Sequence, residues 1–160
     1  MAFEGVDYLG FDALLTEEQR LVRDTVGSWV NDRVLPIIED AAWEGRFPKE
    51  LVPEMAGMHL FGATLSEYGL PGLDNVSYGL IMQELERGDS GLRSFVSVQS
   101  GLVMYPIYAF GSKAQKDKWI PKLAKAEGRE APAPWVFDDL RRTTATGLAK
   151  LGVRVEVPEN

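Results

Sequence analysis

A guanidinium, hydroxyls and a carboxylate cluster where two helices meet, in the run Glu84-Leu85-Glu86-Arg87-Gly88-Asp89-Ser90-Gly91-Leu92-Arg93-Ser94-Phe95-Val96-Ser97. Arg93 and Ser97 are four residues apart, so on a helix they share a face one turn apart. A planar guanidinium binds a carboxylate through two parallel hydrogen bonds, and the Ser97 hydroxyl could add a third. A helix capped by Asp89 or Ser90 would put Arg93 in its first turn, where unpaired backbone amides favour an anion. Glu86, on the preceding helix, could orient the arginine or moderate its charge. The competing reading is a surface Glu86–Arg93 ion pair, worth under ~1 kcal/mol, with Ser97 a filler hydroxyl. Spacing alone leaves both open.

Other chemistries find less support. There are no cysteines, so thiol nucleophiles, thiolate metal sites and disulfides are excluded. His59 is the single histidine and reads as a packed or surface residue; no metal site is expected. Gly69-Leu70-Pro71-Gly72 lacks the lysine and preceding strand of a phosphate-binding loop. The acid pairs Glu17/Glu18 and Glu39/Asp40 read as a helix start and a solvated face. A net charge of −7 argues against nucleic acid as a partner. The longest apolar region, Phe95 to Phe110, is interrupted by Ser97, Gln99, Ser100 and Pro106 and is too short for a membrane span. The acidic N-terminal stretch is a poor leader, so a cytoplasmic location is expected.

The elements that must position the cluster read as helices. Thr16-Glu17-Glu18-Gln19 is a capping box, followed by Leu21, Val22, Val26, Trp29, Val30 and Val34 at helical spacing. Pro36 should break or kink that helix, with Ile37 to Glu44 continuing. Pro48 reads as the first residue of a short helix to about Met58, with Leu51, Met55 and Met58 on one face. The glycines at 62, 69 and 72 and Pro71 mark Leu60 to Asn75 as an irregular connection. Helix resumes with Leu80, Ile81 and Leu85 inward and stops at Gly88. Another runs to Phe110 and ends at Gly111. Ser112 to Gln115 is a second capping box, opening a helix with Trp119, Ile120 and Leu123.

Five or six helices with short loops and no convincing strand indicate an all-α bundle. Its expected extent is residues 1–127. Residues 128–160 form an atypical tail: a Pro-Ala linker from Ala131 to Pro134, a stripe of Val136, Leu140, Leu148 and Leu151, and strand-like alternation at 153–157.

The chain resembles the N-terminal helical domain of acyl-CoA dehydrogenases, and among them glutaryl-CoA dehydrogenases. The residues that carry the likeness are Val76 to Ile81, Glu84 to Ser94, Ser97-Val98-Gln99-Ser100, Leu102-Val103-Met104, Pro106-Ile107, Phe110-Gly111-Ser112, Ala114 to Lys116 and Pro121 to Ala124. Leu15 to Gln19 and Glu67-Tyr68-Gly69 also fit, so the likeness spans roughly residues 11 to 127. It implies that Arg93 and Ser97 bind the distal carboxylate of a glutaryl-CoA-like substrate with Glu86 beside them. The expected substrate-binding residues are Arg93, Ser97, Glu86 and Ser94. It further implies FAD as the family's cofactor and electron-transfer flavoprotein as the partner of a complete enzyme.

The departures matter too. The β-domain sequence that should follow Gly128, with its flavin-contacting Thr-Glu-Pro motif, is replaced by the tail. The C-terminal helical domain with the catalytic glutamate has no counterpart here. No catalytic residue is therefore expected in this chain, and stable FAD binding by it alone is not expected. The loop near Ser66 is one residue short of the family pattern, and Leu70 stands where a glycine is common. Three readings compete: the acyl-pocket part of a dehydrogenase, completed by a complementary chain; a non-catalytic helical interaction module; and a truncated or frame-altered gene product. Uncovered apolar surface and self-association are expected under the first two.

Overall fold

The structure, a computed structural model, describes residues 8–126; the tail expectations, including the stripe at Val136 to Leu151, fall outside the described residues. The described residues form an all-α bundle with no strand. Helix α1 (Glu17–Trp29) starts at the capping box: Thr16 Oγ1 accepts from the Gln19 amide at 3.2 Å, and Gln19 Oε1 accepts from the Thr16 amide at 3.0 Å. Its buried row is Val26, Val30 and Val34, with Val22 partly covered. Leu21 lies one position off that four-residue row and is exposed, against expectation.

Pro36 does not break the chain's helical path. The backbone passes through a wide π turn, Val30–Val34, into α2 (Leu35–Trp43), where Pro36 is the second residue. A proline has no amide to give and its ring collides with the carbonyl one turn back in a regular α ladder. Widening the ladder, here with the Leu35 amide on the Val30 carbonyl, accommodates both defects. The same device recurs later. Helix α5 (Ser90–Ser97) runs through a π segment, Val98–Met104, into α6 (Tyr105–Phe110), whose second residue is Pro106.

The short third helix starts later than expected. Pro48 precedes a 3-10 turn, Lys49–Leu51, and Pro53 lies at the start of α3 (Val52–Gly57), where its missing amide has no intrahelical partner to lose. Leu51 and Met55 are buried and Met58 partly so. The segment from Leu60 to Asp74 is irregular, yet Leu60, Phe61, Ala63, Leu65 and Leu70 are all in the core. Backbone bonds from the Gly72 amide to the Leu65 carbonyl (2.9 Å) and from the Leu73 amide to the Ala63 carbonyl (2.8 Å) fold it back on itself.

Helix α4 (Asn75–Gly88) is capped by Asp74, which accepts from the Ser77 amide at 2.8 Å. It packs along α1 through Ile81 and Leu85. At its end, a Cβ on Gly88 would sit 2.8 Å from Val30 Cγ1, so only glycine permits this approach to the π turn. Helix α7 (Lys113–Ala124) opens at the Ser112 capping box and buries Ile120 and Ala124, while Leu123 is partly covered and Trp119 is 43% exposed. Each large side chain fully buried in this core contributes about 1.5–3 kcal/mol.

Candidate functional site

The polar cluster forms where α4 ends and α5 begins. Asp89 is the N-cap of α5: its carboxylate accepts from the Leu92 amide at 2.7 Å. The first-turn anion site expected from sequence is thus already served by this carboxylate, and the Arg93 amide donates to the Asp89 carbonyl. What faces outward is the side-chain set.

Arg93 Nε donates to Glu86 Oε2 at 2.6 Å. Ser90 Oγ donates to the other oxygen, Glu86 Oε1, also at 2.6 Å. Arg93 Nη1 reaches Ser97 Oγ at 3.5 Å, the weak end of hydrogen bonding. Ser97 spends its own proton on the Ser94 carbonyl at 3.1 Å, a helix back-bond that would have to rotate away for the hydroxyl to donate elsewhere. The structure therefore brings Glu86, Arg93 and Ser97 together. Ser94 enters through its backbone carbonyl.

The electrostatics follow from these contacts. Arg93 first, and Ser90 second, hold the Glu86 carboxyl below the ordinary carboxylate range. Tyr78, also on α4, is within reach of the same cation: burial pushes its phenol up and the Arg93 charge pulls it back. The sequence reading gave Ser90 only as a possible cap and gave Tyr78 no place in the site. The Glu86/Ser90 spacing of four was visible, but a helix boundary at Asp89 falls between them, so the usual i, i+4 argument did not apply.

Behind the cluster the π segment sorts the Ser97-Val98-Gln99-Ser100 run by direction. Gln99 and Ser100, adjacent in sequence, are both buried. Ser100 Oγ accepts from the Gly62 amide at 3.0 Å and lies 3.4 Å from the Leu60 carbonyl, tying the helix to the irregular segment. Phe95 stacks at a tilt on Phe47 (5.0 Å between centroids) and edge-on to Phe61 (5.7 Å). The apolar helix that sequence reads as core is buried on one side only. Val96 and Met104 are inside, whereas Leu102, Tyr105 and Phe110 are 64%, 52% and 85% exposed.

The fold and the site together are those of an all-α bundle with a polar helix junction at Glu86, Ser90, Arg93 and Ser97. The chain matches the family described as acyl-CoA dehydrogenase, N-terminal domain, over residues 16–127. Among solved structures it resembles a glutaryl-CoA dehydrogenase from Mycobacterium smegmatis at 48% identity, with a TM-score of 0.72 over 74% of this chain and 31% of that one. The same organism's enzyme in complex with FADH2 matches at 43% identity and a TM-score of 0.71, over 72% and 30%. A glutaryl-CoA dehydrogenase from Desulfococcus multivorans is 32% identical over 120 residues, 72% of this chain and 31% of the relative. The chain belongs to the acyl-CoA dehydrogenase family and carries its N-terminal helical domain. It spans about 30% of the length of these relatives.

Every buried side-chain nitrogen or oxygen among the described residues has a hydrogen-bond partner. Among the described residues no cluster suits a metal ion, and no helix is long and apolar enough to cross a membrane.

Proposed function

We propose that residues 1–127 form one wall of an acyl-CoA pocket in which Arg93 grips the distal carboxylate of a glutaryl-CoA-like substrate. The observation that carries this is the way Arg93 is held: Glu86 takes its Nε, while Nη1 makes only the 3.5 Å contact to Ser97, so the guanidinium is oriented at one nitrogen and weakly engaged beyond it. A guanidinium fork matches a carboxylate through two hydrogen bonds. A monocarboxylic acyl chain gains nothing from the cation, because its apolar end offers the guanidinium no acceptor and would strip water from it.

FAD, the α-proton base and transfer of electrons to an electron-transfer flavoprotein belong, on this reading, to further domains that complete the pocket, on this or a complementary chain. The tail at 128–160 does not supply them, and the chain alone is inactive and does not hold flavin stably. A non-catalytic interaction module is the second reading; the exposed Leu102, Tyr105 and Phe110 favour it, because such a face can also take a partner or a second copy.

Calorimetric titration of the full chain with glutaryl-CoA and with pentanoyl-CoA, which lacks the second carboxylate, tests the clamp. Glutaryl-CoA should bind about tenfold or more tightly than pentanoyl-CoA, and Arg93→Ala should remove the difference. Equal binding of the two ligands by the wild type would sink the clamp, as would an unaltered preference in Arg93→Ala.

A further inference from the structure

We propose that Ser90 is a positioning residue of this clamp, fixing Glu86 so that Glu86 in turn holds Arg93 in its carboxylate-accepting orientation. The inference rests on the clamp reading and adds a residue that does not touch the ligand.

The argument starts from a division of labour in Asp89-Ser90-Gly91. Either Asp89 or Ser90 could cap α5, and a serine at the cap would spend its hydroxyl on a backbone amide. Here Asp89 does the capping, through Oδ1 on the Leu92 amide. Gly91 makes room for that arrangement, since a Cβ there would lie 2.8 Å from Asp89 Oδ1. Ser90 is displaced to the first residue of α5 and its hydroxyl is released from capping. It turns back across the helix boundary to Glu86 Oε1 at 2.6 Å.

The consequence for Arg93 is geometric. A carboxylate on an exposed helix face rotates about its side-chain torsions, and a single bond to Arg93 Nε would leave it free to pivot. With each oxygen bound to a different partner, Oε1 to Ser90 and Oε2 to Arg93, the carboxylate plane is fixed by two anchors on α5. Carboxylate and guanidinium are about half and a third exposed, so solvent competes for both and a second anchor matters. Ser90 also shields Oε1, the Glu86 oxygen not paired with Arg93, from confronting an incoming carboxylate bare. A short charge-assisted hydroxyl bond is suited to that task.

The test uses the full chain as wild type, Ser90→Ala, Ser90→Thr and Arg93→Ala, with two readouts. The first is the ratio of glutaryl-CoA to pentanoyl-CoA affinity. Ser90→Ala should shrink it about threefold to tenfold, the size expected for one lost hydrogen bond of ordinary net strength at a half-exposed site, and Ser90→Thr, which keeps the hydroxyl, should restore it. The second is the Glu86 carboxyl titration followed by carbon NMR, which should move up towards the ordinary range in Ser90→Ala and stay put in Ser90→Thr. A wild-type ratio of one overturns the clamp and Ser90's role with it. A normal wild-type ratio that Ser90→Ala leaves intact overturns the positioning role alone. An unmoved Glu86 titration in Ser90→Ala also overturns it, since the bond would then be absent in solution.

Discussion

Two arginines six residues apart, Arg87 and Arg93, each pair with a glutamate of α4 and yet occupy opposite situations. Arg87 is used up. Its Nε donates to Glu84 Oε2 at 2.8 Å, Nη1 to Asn31 Oδ1 at 2.9 Å and Nη2 to the Gly27 carbonyl at 3.2 Å, so all three nitrogens are engaged within the protein. Its carboxylate partner is only 12% exposed, and the network joins α4 to α1 and the π turn. Arg93 is engaged strongly at Nε and only weakly at Nη1, and its partner is 48% exposed. A saturated cation between helices can only hold them together. A cation held at one edge is pre-oriented for something else, and that contrast separates a structural arginine from a recognition arginine better than their sequence contexts do.

The contrast can be broken most severely at the closed site. Arg87→Ala strands the nearly buried Glu84 carboxylate and takes one of two donors from the Gly27 carbonyl, and should cost about 2–4 kcal/mol of stability by urea unfolding. A loss under about 1 kcal/mol would mean that the network is ornamental and the two arginines are alike.

A third pair offers an intermediate case. Glu54 on α3 accepts from Trp29 Nε1 at 2.8 Å and from Arg33 Nη2 at 2.7 Å, and Arg33, then Trp29, hold its carboxyl down at about 2. Because the folded value lies below the unfolded one, this pair stabilises fully above about pH 4.5, and the contribution is lost as pH falls towards 2. Partial exposure of both groups makes the effect smaller than that shift alone implies. Urea midpoints measured from pH 5 to pH 2 should therefore fall less steeply for Glu54→Gln than for wild type; parallel curves would remove Glu54 from the acid response.

The smallest expected effect is at the open site. Arg93→Ala should change stability by less than about 1 kcal/mol, because solvent can replace what Glu86 loses. A large destabilisation there would place Arg93 with Arg87 and weaken the recognition reading, whatever the ligand titrations gave.

Much of this was legible beforehand, and the misses have physical causes. Both capping boxes were readable because a cap is a local bond between residues three apart. The π turns before Pro36 and Pro106 were not readable, because a proline forbids a regular α ladder, whereas a π turn is permitted and its stability depends on what the widened turn packs against. Val30 and Val34 lie on such a turn, in the core. Leu60 to Leu70 reads as a glycine-marked loop, and its turn chemistry was real; its contribution of five core side chains has no periodic signature. At the candidate site, spacing placed Arg93 and Ser97 on one face, but it also placed Ser90 as a possible cap.

By itself, the sequence determined the helical class, the capped starts of α1 and α7 and the family likeness, because these depend on residue types at short fixed intervals. Only the tertiary structure decided which of two neighbouring arginines is consumed and which stays open. That choice depends on the distance between α1 and α4, set by contacts such as Gly88 against Val30, and no interval along the chain encodes it.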